Sequence, residues 1–394
     1  MATVTELQLF AVDLPFKAAF RHAAAARTTS ESLFLRARLD GGVEGWGESL
    51  PRAYVSGERR ETAFALLRDV ILPALLGRAF GSLAEVISFL EKCDGKAPPE
   101  WVRPDVPQSS AWCGVDLALL DAFGRASSEP AWLGGAGDQR PAAAALARYR
   151  YSGVVSAGRG WPYAVSLLKM RAFGFPQVKL KLERDGALQA ARVARRLLGR
   201  RVDLRVDANM AWGVEQALEV IGELRTVGIQ SFEQPIPADD LAGLARLVAE
   251  SSAGIVADEG LTDRDSLQTL IRRRACTGAN VRISKCGGLV GAHARCREAL
   301  DAGLVLQVGC QVGESSLLSA AHVTLLSALA PLTPGVRYAE GCFGRHLLRE
   351  DPVSPSVQFR YGGRPPRHPP GAGLGVQVDQ AILQRWAVDE ARIS

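Results

Sequence analysis

Paired cysteines are missing from this chain of 394 residues: its seven cysteines are scattered, odd in number and never spaced Cys-x-x-Cys. A disulfide framework is thereby excluded, and reduced thiols are expected. Histidine is scarce, five in all, and none sits beside the acidic segments described below. No stretch reaches the roughly 18 uncharged apolar residues that a bilayer span needs. The opening Met1-Ala2-Thr3-Val4-Thr5-Glu6-Leu7 has neither a basic region nor an apolar run. Both absences predict a soluble, cytoplasmic protein with no membrane role. No basic run is interleaved with aromatics, and 47 basic against 42 acidic residues leave a net charge of only +5. That balance suits a small anionic partner and gives no footprint for nucleic acid. Arg192, Arg195, Arg196, Arg200 and Arg201 do cluster, at helical spacing that predicts a solvated outer face.

The chain is otherwise of ordinary globular composition, 47% hydrophobic and 23% charged, and long enough for two domains. Residues 3–12 and 31–40 alternate apolar and polar as strands do, and Asp40-Gly41-Gly42 supplies a turn before a third strand at 43–48. Helical periodicity follows over 60–93 and 109–126, so residues 1–139 read as an α+β domain. From about 147 strands and helices alternate. The expected strands are 149–155, 177–182, 203–207, 230–233, 255–258, 280–284, 305–308 and 336–339. Amphipathic stretches at 188–198, 215–225, 241–249, 266–274 and 292–301 separate most of them. Gly199, Gly228, Gly254 and Gly303 fall where helix C-caps belong, and Asp239 and Thr262 where N-caps belong. Eight strands with helices between them predict a barrel over 140–345. The Pro-, Gly- and Arg-rich remainder, 346–394, holds no further β/α unit and is expected to return to the first domain.

Chemistry-bearing residues recur along that alternation. Lys181, Asp207, Glu233, Asp258 and Lys285 follow one another at steps of 26, 26, 25 and 27 residues, about the length of one β/α unit. Each therefore falls at the same place in its unit, the C-terminal rim of the strands, where barrel active sites are built. Three carboxylates without Cys or His nearby suit a hard cation, Mg²⁺ or Mn²⁺. Asn209 follows the first of them closely and can orient a ligand or the substrate. Lys179 and Lys181 alternate on one strand and so share a face; they are expected to point at the carboxylates. Lys285 approaches from four units away. Burial and a neighbouring dication lower a lysine's pKa and fit it to act as a general base. Such a site would remove the proton α to a metal-bound carboxylate and place the developing charge on the metal. Two lysines on opposite faces would give racemisation or epimerisation; with a β-leaving group the same residues would give elimination.

On these residues the chain resembles the enolase superfamily, in its muconate-lactonising-enzyme-like subgroup. The resemblance covers essentially the whole chain and implies an α/β fold: a modified (β/α)₇β barrel with an N-terminal α+β capping domain completed by the C-terminal segment. It implies Asp207, Glu233 and Asp258 as metal ligands, Lys181 and Lys285 as the two acid/bases, and Lys179 as electrostatic partner and substrate contact. A mandelate-racemase pattern would need a histidine at the seventh strand, where this chain reads Gln307-Val308-Gly309-Cys310-Gln311. The dipeptide epimerases carry Asp-x-Asp at the eighth, where Glu340-Gly341-Cys342 retains only the first acid. Glu340 thus either meets a cationic substrate group or pairs with a lysine across the barrel; Glu314 is a substrate contact or a helix cap. Two cap segments, Phe16 to His22 and Pro51 to Glu58, match the family's specificity loops. Arg21, Arg52 and Tyr54 lie in them, as distal substrate contacts or as loop surface residues, with Gly45, Gly47 and Gly57 letting the loops move.

The expected function is Mg²⁺-dependent racemisation or epimerisation of an amino acid derivative, acting on a small-molecule carboxylate, in what the resemblance implies is a homo-oligomer. Elimination or cycloisomerisation on the same residues is the alternative. A non-catalytic ligand-binding barrel is the reading from another class.

Overall fold

The computed structural model describes residues 1–22, 25–131, 146–156, 158, 160–182, 185–332 and 335–394, without the side chains of 19–26. The expected boundary at 139/140 lies outside the described residues. The N-terminal part is an antiparallel sheet of β1 (Ala2–His22), β2 (Ala25–Leu39) and β3 (Glu44–Ser49), with the short β4 (Ala79–Phe80) also on β1. Its fourth long neighbour comes from the other end of the chain: Leu7 pairs with Ile393 and Val12 with Ala387, on β15 (Ala387–Ile393). The C-terminal segment thus closes the cap sheet, as expected.

Sequence patterning misread several details here. Residues 60–93 are not one helix. Helical turns from Arg60 to Leu75 give way at Gly77, whose φ of 75° ends them, and a separate helix runs Leu83–Cys93. Phe16 to His22 is not a loop but the end of β1, with Arg21 paired to Ala26. Gly45 and Gly47 are not hinges. A Cβ on Gly45 would lie 2.1 Å from the Ala122 backbone nitrogen, and one on Gly47 1.9 Å from the Gly114 carbonyl oxygen. They let β3 approach the helix Ser109–Ala126, which is buried on every side from Ser109 to Gly124 because it is sandwiched between cap sheet and barrel.

The barrel strands are β5 (Gly153–Ser156), β6 (Gln177–Lys181), β7 (Asp203–Asp207), β8 (Ser231–Glu233), β9 (Gly254–Ala257), β10 (Gly278–Arg282), β11 (Val305–Gly309) and β12 (Val336–Ala339), all parallel and in sequence order. A parallel bridge from Tyr151 to Ala339 joins first strand to last. A helix follows each strand except β12, giving the (β/α)₇β order among the described residues. A small hairpin of β13 (Val353–Ser354) and β14 (Gln377–Val378) precedes the return to the cap. Along most barrel strands the outward residues are apolar, such as Val178 and Leu180 on β6 and Leu204 and Val206 on β7, these four fully buried. The alternate residues, Lys179, Lys181, Arg205 and Asp207, point inward. Gly199, Gly228 and Gly303 hold positive φ at helix ends, but Gly254 opens β9 instead, and Asp240 and Asp263, not Asp239 and Thr262, cap their helices through side-chain oxygens.

Candidate active site

Strand ends set the site. Lys181, Asp207 and Glu233 are the last residues of β6, β7 and β8, and they pair side by side: Lys181 with Asp207, Asp207 with Glu233. Asp258 follows the last residue of β9. Over these ends lies a cavity of about 130 Å³ lined by Lys179, Lys181, Asn209, Glu259, Arg282, Gln311 and Glu340 on its polar side. Tyr54, Val154, Val312, Phe343 and Leu347 make its apolar wall. A larger cavity, about 660 Å³, lies around Tyr163 and Asp185 and touches none of the residues expected in the site.

Inside, charges are closely matched. Lys179 Nζ reaches Glu340 at 2.8 Å, Glu233 at 3.1 Å and Asp207 at 3.3 Å. Burial alone would lower its pKa, but these carboxylates outweigh it and hold the ammonium above its ordinary value. Glu340 accepts from both Lys179 and Arg205; those two cations overcome burial and bring its carboxyl down to about 2. Glu340 is thus ion-paired inside the barrel, and it also lines the cavity. Glu233 also accepts from Asn280 and Gln307, each at 2.8 Å. Lys181 Nζ stands 3.3 Å from Asp207 Oδ2 and donates to Asn209 Oδ1 at 3.2 Å. Burial, reinforced by Asp207, raises the Glu259 carboxyl to about 7.

Lys285 is placed otherwise than expected. It lies three residues beyond the end of β10, fully buried, and does not line the cavity. Its ammonium donates to the Asp258 carbonyl (2.6 Å), the Asp258 carboxylate (2.8 Å) and the Asn280 carbonyl (2.9 Å), which uses all three donors. Burial and the Arg282 guanidinium do push its pKa down to about 7. A base must first reach the proton it takes, however, and reach is what Lys285 lacks. Arg282, the last residue of β10, faces the cavity in its place. Its guanidinium bonds Asp258, stands 3.6 Å from Glu233 and donates to Gln311 at 3.2 Å.

Of the distal contacts, Tyr54 lines the cavity. Arg52 does not: it is 2% exposed and donates to the carbonyls of Glu31, Pro51 and Val312, holding cap to barrel. The side chain of Arg21 lies outside those described. Glu314 does not cap the next helix, which Ser315 does, and does not line the cavity; it is buried and accepts from the Gln311 amide. His322 is structural, bonded to Tyr151 and the Val308 carbonyl, and burial lowers its pKa to about 4.

The comparisons with known proteins agree with this architecture. Residues 4–133 match the model of the mandelate racemase / muconate lactonizing enzyme N-terminal domain, and residues 163–382 that of the enolase C-terminal domain-like family. This chain belongs to the enolase superfamily. Within it the chain falls in the muconate-lactonising-enzyme-like subgroup, whose members it matches along nearly its full length. An N-succinyl-L-Arg/Lys racemase of Bacillus cereus is 24% identical over 98% of both chains. Muconate cycloisomerase 1 of Rhodococcus opacus is 26% identical, again over 98% of both. The crystal structure of the Bacillus cereus racemase superposes with a TM-score of 0.84 at 22% identity, covering 100% of both chains. The fold is therefore the superfamily's barrel with its capping domain, and the protein is an enzyme.

Enolase-superfamily enzymes of this kind generally use Mg²⁺. The donor set fits: Asp207, Glu233 and Asp258 offer only oxygen, and Asp207 Oδ2 is buried with no hydrogen-bond partner. As the side chains stand, no three acidic, histidine or cysteine residues among those described converge on one point. Arg282 stands between Glu233 and Asp258. A cation on these ligands therefore requires that guanidinium to draw back. Arg205, Glu259 and Arg282 were not singled out from the sequence. Strand periodicity carried the signal for two of them, since Arg205 shares a face with Asp207, and Arg282 with Asn280.

Proposed function

We propose that this protein is a Mg²⁺-dependent enzyme that removes the proton α to the carboxylate of a small-molecule substrate, with Lys181 as the base. The observation that carries this reading is Lys181 at the cavity, 3.3 Å from Asp207 on the adjoining strand end. Bound to Asp207, Glu233 and Asp258, Mg²⁺ would supply fixed positive charge where the substrate carboxylate gains electron density. The chain's own residues do the rest. Asn209 holds the Lys181 ammonium by its Oδ1. Lys179, kept charged by three carboxylates, adds positive potential beneath the cavity. Tyr54, Val154, Val312, Phe343 and Leu347 exclude water and receive the apolar part of the substrate.

Two outcomes of this step are named among the relatives, racemisation and cycloisomerisation. Racemisation or epimerisation of an amino acid derivative requires a second proton carrier on the opposite face of the α-carbon. Elimination and cycloisomerisation do not.

The test is solvent exchange. In D₂O with Mg²⁺, α-deuterium should enter a carboxylate drawn from N-acyl amino acids, dipeptides and hydroxy acids. Chelation or Lys181→Ala should stop it. A Lys181→Ala protein that exchanged at the wild-type rate would remove Lys181 from the mechanism.

A further inference from the structure

Lys181 ends β6 and Arg282 ends β10, four strands away in an eight-stranded barrel, so the two line one cavity from opposite walls. Across the cavity from the proposed base, then, stands a guanidinium. We infer that Arg282 takes the place at which a second acid/base would stand, so that proton transfer is confined to the Lys181 face and the net reaction is a syn β-elimination or its intramolecular reverse. This deepens the reading of Lys181 as the base and rests on it.

The chemistry follows from the two side chains. A guanidinium has five donors, no acceptor, and keeps its charge over the whole working range. Arg282 can stabilise negative charge developing on a substrate, but it has no lone pair with which to take a proton from the far face. Its Nε is buried and has no acceptor of its own, so the residues around it do not saturate the guanidinium. Lys285 does not substitute for it. It is 0% exposed and spends its three donors on Asp258 and Asn280.

On the Lys181 face the step balances without any external reactant. The α C–H bond breaks, its proton passes to Lys181 Nζ, and the bonding pair is delocalised into the carboxylate. That pair then forms the Cα–Cβ double bond as the β-substituent leaves with its own bonding pair and collects the proton from Lys181. In the reverse direction a carboxylate of the same molecule adds at Cβ and Lys181 returns the proton to Cα, which closes a ring. Neither direction needs a donor opposite Lys181. The substrate class is accordingly a carboxylate with a leaving group at Cβ or, in the reverse direction, an unsaturated carboxylate that carries its own nucleophile.

Two measurements on the full chain decide this. The first is independent of substrate: reductive methylation of the folded protein with formaldehyde, with peptide masses followed over time. Lys181 should be dimethylated and Lys285 should stay unmodified until the protein is unfolded. Lys285 reacting as fast as Lys181 would overturn the inference. The second uses Mg²⁺, D₂O and single enantiomers of N-acetyl amino acids and β-hydroxy carboxylates. One enantiomer should exchange its α-proton about 100-fold or more faster than its mirror image, the scale of a general-base contribution, with no inverted product. Arg282→Lys should open exchange of the mirror image. Wild-type protein that labelled both enantiomers at similar rates and delivered a racemate would sink the one-face mechanism. Absence of label from every compound would count against Lys181 as the base, while the methylation pattern would still decide the place of Arg282 and Lys285.

Discussion

Glu48, on the cap strand β3, accepts hydrogen bonds from the Ser315 amide (3.0 Å) and hydroxyl (2.5 Å), and from the Leu318 amide (3.2 Å), at the start of the barrel helix Ser316–Leu329. A buried carboxyl on the cap thus closes a helix N-terminus on the barrel, where unpaired amides and the helix dipole favour negative charge. The same device recurs: Asp116 accepts from the Leu289 and Val290 amides. Cap and barrel are held together by such contacts as well as by apolar packing.

Glu48 makes this junction sensitive to pH. Burial raises its carboxyl from an ordinary 4.5 to about 7, the Ser315 and Leu318 donors offsetting only part of the cost. Its folded pKa lies above its unfolded one, so between pH 4.5 and 7 the folded protein holds the extra proton. Stability from this group is complete below that window and declines as pH rises through it, by on the order of 3 kcal/mol. Urea unfolding should therefore show a midpoint that falls from pH 5 to pH 8 by less in Glu48→Gln than in the wild type. Equal falls would assign the pH dependence to other groups.

Gly47→Ala tests the packing of β3 on the helix Ser109–Ala126. Its Cβ would meet the Gly114 carbonyl oxygen at 1.9 Å and the Ala118 nitrogen at 2.9 Å, both backbone atoms that cannot step aside alone. Overpacking of this kind costs about 1–3 kcal/mol or more. Thermal melting should show the loss. Ala at Gly41, which has nothing within 4 Å, should leave the midpoint unchanged and serves as the control; equal midpoints for the two variants would mean that β3 and the helix can separate cheaply.

Much of this molecule was legible in its sequence because the β/α period is local. Outward apolar and inward polar residues alternate along 177–181 and 203–207, and the strand ends followed from that pattern. Asp207 and Glu233 were placed by it and lie at strand ends in register. Lys285 was chosen by residue type and spacing, without carrying the alternation on from Asn280. Two residues on from Asn280 is Arg282, and a strand that ends there turns before Lys285. Contacts such as Glu48 with Ser315, 267 positions apart, had no local signal at all. Tertiary packing alone creates them, and the burial of Arg52 against backbone carbonyls is of the same kind.

Stability should separate the two lysines. Lys285→Met removes one of the two cations that pair with the fully buried Asp258 carboxylate, Arg282 being the other, and takes a donor from the Asp258 and Asn280 carbonyls. Breaking a buried pair from one side costs about 3–5 kcal/mol. Lys181→Met loses an ammonium from the cavity edge, its side chain 15% exposed, and should cost less, because Asp207 keeps Lys179 as a partner. Urea titrations of the two variants would show the contrast; a Lys285→Met protein as stable as the wild type would mean that its ammonium is not held as the structure places it.

Metal binding is open to direct measurement without any substrate. Asp207 Oδ2 is the one buried oxygen of the three candidate ligands that lacks a hydrogen-bond partner, whereas Glu233 and Asp258 are engaged by Asn280, Gln307, Lys285 and Arg282. Asp207→Asn should therefore weaken Mg²⁺ binding in calorimetry by at least the roughly 10–100-fold seen when even an outer partner of a metal ligand is lost. Arg282 competes for two of the three ligands, so Arg282→Met should move affinity the other way and enlarge the Mg²⁺-induced rise in melting temperature. The two variants shift one equilibrium from opposite sides, one by removing a ligand and one by removing its competitor. Unchanged affinity in Asp207→Asn would take that residue out of the metal site. A fall in affinity for Arg282→Met would mean that the guanidinium supports the ligands and does not obstruct them.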